Sequence, residues 1–472
     1  MSDFVQIRGR DLVLGSRPTM FCGCNYGNWM LVEHYMIGLP WTEYMMRNLW
    51  LEMLGRDSFE AFWHTFMDGY ATDEDFAFMK SLGCNMIQLP FNYRFFEDPA
   101  RDRTAAGFEE RGFEYVDRFL NMARRHGIHV LLSMHAVPGV AVRDWNAESA
   151  YGEAFYWDHE HFQHRTEELW TAIATRYRND PIVFGYEPVN EPFTEDADLF
   201  HRVTLRLARA IRAADPRHII VLNSNRWGRQ IGSLRDEIFE DPQVMPSFHQ
   251  YPMTFPLLRG VKRYPGENDG RMVDRRDVER TFDETTDTAR IPRPHLMGEF
   301  GGGAPRLGPD WATSPQFAML GDMMDICLER RFPWNFWDFK DLGAMGVVSP
   351  GPDTPWRRFL AEPAVRAIRD SWGPVGRGLG ELAAEHGKFE AVEQDAFIPS
   401  DWRQLLGFQC HHHWDAVALP AVLRQLKRYG QRDLEEMAQS FHFRNCAVCE
   451  PRRELLSRHG RAAQEMNARA KG

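Results

Sequence analysis

Two glutamates stand where a purely structural strand would carry none. The string GYEPVNEPF places Asn190 and Glu191 after an apolar run, and HLMGEFGG places Glu299 after another. A glutamate set between Met297-Gly298 and Phe300 is awkward in a core unless it has a task. Two carboxyls facing each other across a pocket suit cleavage of a glycosidic bond. One arrives protonated and donates to the leaving oxygen; the other is ionised and attacks the anomeric carbon or activates water. Other apolar runs end in polar or aromatic residues too: His135 in SMHAVPG, His249 and Tyr251 in SFHQYPM, Trp337 in NFWDFKD. Side chains two apart on a strand share a face, so His249 and Tyr251 are placed to orient carboxyls together. Trp337 offers a flat floor for a sugar ring, whereas Trp334 reads as packing. Glu187, on the same run as Glu191, reads as a buried, hydrogen-bonded structural carboxyl.

The elements that must hold these residues alternate in type. Candidate strands are Phe21–Asn25, Asn85–Pro90, His129–Ala136, Val183–Glu191, His218–Asn225, Val244–Pro252, His295–Gly301 and Phe332–Lys340. Between them, Phe113–His126, His161–Arg178, Leu199–Ala214 and Gln316–Arg330 have helical periodicity, with Asp198 and Ser314 as candidate caps. This alternation predicts an α/β chain, a (β/α)8 TIM barrel whose strand ends converge on one mouth. No glycine-rich phosphate loop follows a strand; Gly301–Gly303 lacks the spacing. A long stretch from about Tyr26 to Gly83 contains helical pieces at Thr42–Leu54, Ser58–Tyr70 and Asp73–Ser81, and an excursion of that kind shapes a pocket. The barrel is expected over residues 1–375, with its last helix near Trp356–Trp372. Residues 376–472 read as a helical C-terminal extension packed on it, with helices at Pro420–Tyr429, Asp433–Phe441 and Pro451–Arg469.

Composition narrows the partners. The 472 residues carry a formal net charge of −11, which argues against nucleic acid or an anionic membrane surface as a partner. No run has the length of a membrane span, and the N-terminus shows no apolar signal segment. Seven cysteines scattered from Cys22 to Cys449 do not form a disulfide framework, so the expected compartment is the cytoplasm. Cys410 with His411, His412 and His413, and Cys446 and Cys449 with His442 nearby, have ligand-like spacing. They read as helical packing, just as Asp158-His159-Glu160-His161 reads as a helix start; no metal and no cofactor is expected.

Taken in order, NEP at the fourth strand and a glutamate after an apolar seventh strand resemble clan A glycoside hydrolases, specifically family 5. GCNYGNWMLVE resembles the GxNLGGWLxxE opening of the exo-β-1,3-glucanase or β-glucosidase-like branch, and FNYRFFE, LSMHAVPG, FHQYP and WDFKD resemble further segments. The resemblance covers roughly residues 10 to 372. It implies Glu191 as acid/base and Glu299 as nucleophile, with Trp29, Glu33, Gln88, His135, Trp145, Asn190, His249, Tyr251 and Trp337 around the substrate. One position departs from the family: where VRIP supplies an arginine beside the nucleophile, NMIQLP supplies Gln88. Loss of that cation is expected to raise the nucleophile's pKa, and Arg94 is a candidate substitute. The expected activity is retaining hydrolysis of small β-glucosides or β-gluco-oligosaccharides by double displacement. Competing expectations are an endo-β-1,4-glucanase, a transglycosidase and a catalytically weak carbohydrate-binding protein.

Overall fold

The computed structural model describes residues 4–97, 108–258, 260–302, 314–371 and 402–470. Eight parallel strands close into a barrel: β1 Cys22–Asn25, β2 Met86–Asn92, β3 His129–Ala136, β4 Val183–Glu187, β5 Ile219–Asn223, β6 Val244–Gln250, β7 Leu296–Phe300 and β8 Trp334–Phe336. Pairing runs in chain order, and β8 closes onto β1 through Trp334–Cys22 and Phe336–Cys24.

The two-residue period of a strand stacks the interior in tiers. Met86, Leu131, Val221, Met245 and Leu296 belong to an apolar plug with Phe21, Phe184 and Ile219. Two residues further along their strands stand Gln88, Ser133, Asn223 and Ser247, all buried, with Glu187, Asn25 and Asn335 beside them. Two residues further again come His135 and His249, at the mouth. The tiers thus pass from apolar to polar to reactive. Below the plug, Val5–Arg8, Asp11–Leu14 and Arg17–Pro18 form an antiparallel sheet, and Val5, Ile7 and Leu12 seal the barrel floor. That sheet was not among the expected elements, because each strand is too short to announce itself in the pattern.

Helices close the outside. Glu110–His126 buries Phe113, Val116, Leu120 and Ala123 at helical spacing and stops at Gly127, whose φ of 60° suits glycine. Asp73–Ser81 starts on a reciprocal cap between Thr72 and Asp75. Ser314 caps Pro315–Arg330 as expected, but the cap of Ala197–Ala214 is Asp196 rather than Asp198. The single helix expected near Trp356–Trp372 is two, Pro355–Ala361 and Pro363–Asp370, because Pro363 holds Glu362 extended. β4 and β8 also stop short of the expected spans, so Glu191 and Trp337 lie in the loops after their strands.

Beyond residue 401 lie helices Trp402–Leu426, Gln431–Ala438 and Glu450–Arg469. Leu419, Leu423, Phe441 and Leu456 share one buried cluster with barrel residues. Gly460 backs onto Leu82 and Gly83, where a β-carbon would meet backbone at 2.1 Å. Fully buried Lys340 reaches Asp75 Oδ1 at 2.6 Å and donates to the carbonyls of Tyr70 (2.8 Å) and Phe441 (3.1 Å). One ammonium therefore ties together the loop after β8, the first excursion and the extension. No helix among the described residues is long and apolar enough to cross a membrane.

Candidate active site

Glu191 stands four residues past β4 with φ at 45°, a left-handed backbone that a residue other than glycine adopts at a cost. Glu299 sits on β7 opposite it. Oxygens of these two carboxylates and a ring nitrogen of His249 lie within 4.8 Å of one another. His249 Nδ1 is 2.8 Å from Glu191 Oε1 and 3.5 Å from Glu299 Oε2, so a single imidazole bridges both acids. Gly298 makes room for it: a β-carbon there would stand 2.5 Å from Ser247 Oγ and 3.2 Å from His249 Nε2.

Each carboxylate has its own second donor. Tyr251 donates its hydroxyl to Glu299 Oε2 at 2.8 Å, and Asn146 donates its amide to Glu191 Oε2 at 2.6 Å. Asn190 Nδ2 approaches His135 Nδ1 at 3.1 Å. If that amide donates, neutral His135 carries its proton on Nε2, aimed at Glu299 Oε1 3.8 Å away. Burial and neighbouring His249 hold His135 well below the usual histidine range. The His135 ring stacks on Trp337 at 5.5 Å, and Trp337 Nε1 donates to Tyr35 at 2.6 Å. His135 Nε2, Asn190 Oδ1 and Glu299 Oε1 are buried yet have no hydrogen-bond partner among the described residues. Buried polar atoms are normally satisfied, so this set is prepared for hydroxyl groups from outside.

Charge is distributed to match. Burial first, then the charge of Glu191, pushes Glu299 up to about 8. Burial opposes a charge on His249, but Glu299, Glu191 and Glu187 outweigh it and raise that histidine to about 9. The positive charge beside Glu299 is therefore an imidazolium from β6. Gln88 serves a different purpose. It donates at 2.9 Å to Glu187 Oε2, which also accepts from Ser133 Oγ at 2.6 Å, while Asn223 donates to the other oxygen. Burial raises Glu187 above the usual carboxylate range. It is the hydrogen-bonded carboxyl of the polar tier, as its strand position indicates.

Two expectations are corrected by packing. Trp29 is fully buried, donates to the Met67 carbonyl at 2.9 Å and stacks on Phe119; it supports the first excursion from within and does not line the mouth. Arg94 does not replace the missing cation, because its guanidinium lies over the Tyr44 ring at 3.8 Å. Glu33 is buried next to Tyr35 and Asp338, whose hydroxyl and carboxyl both feel its charge. The side chain of Trp145 lies outside the described residues, as does that of Cys410. Of the other candidate ligands, His411 pairs with Asp415 at 2.9 Å and Cys446 donates to the His442 carbonyl at 3.5 Å. Among the described residues, the one cluster with metal-ligand geometry is Glu191, His249 and Glu299 itself. Asn146 and Tyr35 belong to the site but were not among the expected residues. Each is one or two positions from a flagged residue, in a loop whose course no periodicity reveals.

The family profile described as Cellulase (glycosyl hydrolase family 5) matches residues 52–343. A beta-xylosidase of Phanerodontia chrysosporium is 30% identical over 361 residues, covering 74% of each chain. Endoglucanase C of Acetivibrio thermocellus is 23% identical, over 45% of this chain and 63% of that protein. Glucan 1,3-beta-glucosidase 1 of Schizosaccharomyces pombe is 26% identical, over 38% of this chain and 44% of that one. With a closed eight-stranded barrel carrying two opposed glutamates past its fourth strand and on its seventh, the chain belongs to glycosyl hydrolase family 5 and is a glycosyl hydrolase.

Proposed function

We propose that this enzyme releases single sugars from small β-glycosides with retention of configuration. Glu299 attacks the anomeric carbon while Glu191 protonates the departing oxygen, giving a covalent glycosyl-enzyme; Glu191 then takes a proton from the water that releases the sugar. The observation that carries the reading is the approach of the two carboxylates, with oxygens within 4.8 Å. Retaining enzymes hold their carboxyl groups about 5–5.5 Å apart, whereas inverting enzymes leave about 6.5–9.5 Å for a water. Tyr251 and His249 hold Glu299 in place for attack, and the unsatisfied atoms of His135 and Asn190 receive sugar hydroxyls over Trp337.

Removal of one sugar at a time is favoured by the long first excursion that walls the mouth and by the likeness to a beta-xylosidase and a glucan 1,3-beta-glucosidase. Glucose is the proposed sugar. The test is hydrolysis of aryl β-glucosides, aryl β-xylosides and short β-glucans, with product size read by mass and anomeric configuration by NMR. Retention with monosaccharide release supports the reading. Inversion overturns the mechanism; internal cleavage of a polymer with little monosaccharide overturns the mode of action in favour of an endo-glucanase. Glu299→Gln folds and loses turnover; an active Glu299→Gln removes the nucleophile assignment.

A further inference from the structure

Asn146, which donates to Glu191, belongs to a short turn, Trp145–Ala147, in the loop after β3. Two residues on, Glu148 is buried with φ at 68°, a backbone conformation that disfavours any residue except glycine. Its side chain shows what is gained. Oε1 accepts from the backbone N–H of Glu43 at 2.9 Å and Oε2 from that of Tyr44 at 3.0 Å. These are the first two residues of helix Glu43–Leu54, whose own N-cap residue, Thr42, makes no side-chain cap. Glu148 therefore caps that helix from 105 residues away, placing a carboxylate on the positive end of its dipole.

The same helix start holds the next wall of the mouth. Glu43, also buried, accepts from Val32 N–H at 3.0 Å and from Arg47 Nε at 2.7 Å. Val32 leads into Glu33 and Tyr35, the partner of Trp337. Hydrogen bonds and short stretches of chain so connect the Glu191 side of the site to the Trp337 side through two carboxylates, Glu148 and Glu43, at one helix end. Glu43 and Arg94 are the charged groups that face Glu148, with opposite effects on its charge.

We propose that Glu148 is a positioning residue for proton donation: by anchoring its turn to the start of helix Glu43–Leu54, it holds Asn146 against Glu191. The proposal rests on Glu191 being the proton donor, and the experiment reports on the two separately. Loss of acid catalysis slows departure of poor leaving groups and spares good ones, because a stable phenolate needs no proton. The kcat/KM of Glu148→Gln, Glu148→Asp and Glu191→Ala is measured on phenyl, 4-nitrophenyl and 2,4-dinitrophenyl β-glucosides, with thermal unfolding as the check on folding. Glu148→Asp keeps the charge but withdraws it from the helix, so it serves if Glu148→Gln does not fold. Glu191→Ala is expected to lose far more on the phenyl than on the dinitrophenyl substrate. The Glu148 variants follow the same slope, with about a 10–100-fold loss on phenyl and less than about threefold on dinitrophenyl. A steep series for Glu191→Ala with equal losses, or none, across substrates in both Glu148 variants overturns the inference. A flat series for Glu191→Ala overturns the role of Glu191 and this inference with it.

Discussion

Gln88 donates its side-chain amide to Glu187 at 2.9 Å, one tier beneath the reactive pair, and makes no bond to Glu299. The positive charge beside Glu299 comes from His249, which lies 3.5 Å from Glu299 and 2.8 Å from Glu191. An imidazolium between two carboxylates tethers both, whereas a guanidinium under one would favour that one. Restoring the arginine should therefore not restore a familiar site. Gln88→Arg is expected to pair with Glu187 and overpack a filled barrel, costing about 1–3 kcal/mol of stability, with no gain in kcat/KM. Denaturant unfolding and a pH–rate profile check this; an alkaline limb displaced downward by a full unit would place the new cation on Glu299 instead.

Proton inventory sets the pH dependence. Glu299 is pushed up to about 8 in the presence of the Glu191 charge, so the last proton held by the pair departs near that pH. The proposed double displacement needs one proton in the pair, on Glu191, with Glu299 ionised. Activity should thus fall as pH rises past about 8, and Glu191→Gln should let Glu299 titrate at lower pH. A native kcat/KM profile that stays flat well past pH 8 would contradict the first, and an undisplaced Glu299 titration in Glu191→Gln would contradict the second.

The same group enters stability. Its folded pKa lies above the ordinary carboxylate value of 4.5, so its contribution is fully present below 4.5 and is lost as pH climbs through about 8. Tm is expected to decline over that window. Glu299→Gln, which never ionises, should decline less and melt higher than the native enzyme at the alkaline end. Parallel Tm curves would contradict it.

Lys340 and Asp75 form an ion pair with both side chains fully buried. Removing one partner strands the other charge without water, which costs about 3–5 kcal/mol. Lys340→Met should lose stability on that scale and also loosen the extension, since the ammonium donates to the Phe441 carbonyl. Limited proteolysis followed by mass spectrometry checks this: early cleavage after residue 401 is expected, and unchanged protection would show that apolar packing alone holds the extension.

Tyr35 accepts from Trp337 Nε1 at 2.6 Å, the one hydrogen bond to the indole edge among the described residues. Tyr35→Phe leaves that N–H unsatisfied and frees the ring to tilt, at about 1–3 kcal/mol. A several-fold rise in KM with a smaller change in kcat is expected in steady-state assays. An unchanged KM would remove Trp337 from the sugar-facing surface.

The barrel was legible in the sequence because strand and helix differ in period, and eight alternations suit a closed barrel, although an open doubly wound sheet was left to the tertiary structure to exclude. Glu191 and Glu299 were legible because a carboxyl at the end of an apolar run stands out against it, and Glu187 because its place inside such a run demands satisfied hydrogen bonds. What depends on contacts between distant segments was not legible. Trp29 occupies a mouth-like motif but is turned inward by Phe119 and the Met67 carbonyl. Asn146 reaches Glu191, and Glu148 reaches Glu43, across about a hundred residues or fewer of chain in which no local pattern records the meeting. Sequence thus marked out the two glutamates and the scaffold that carries them, through local periodicity and burial. The tertiary structure alone decided which cation stands between the two acids and which loop holds Glu191, since both follow from the distances at which separate strands and loops come to rest.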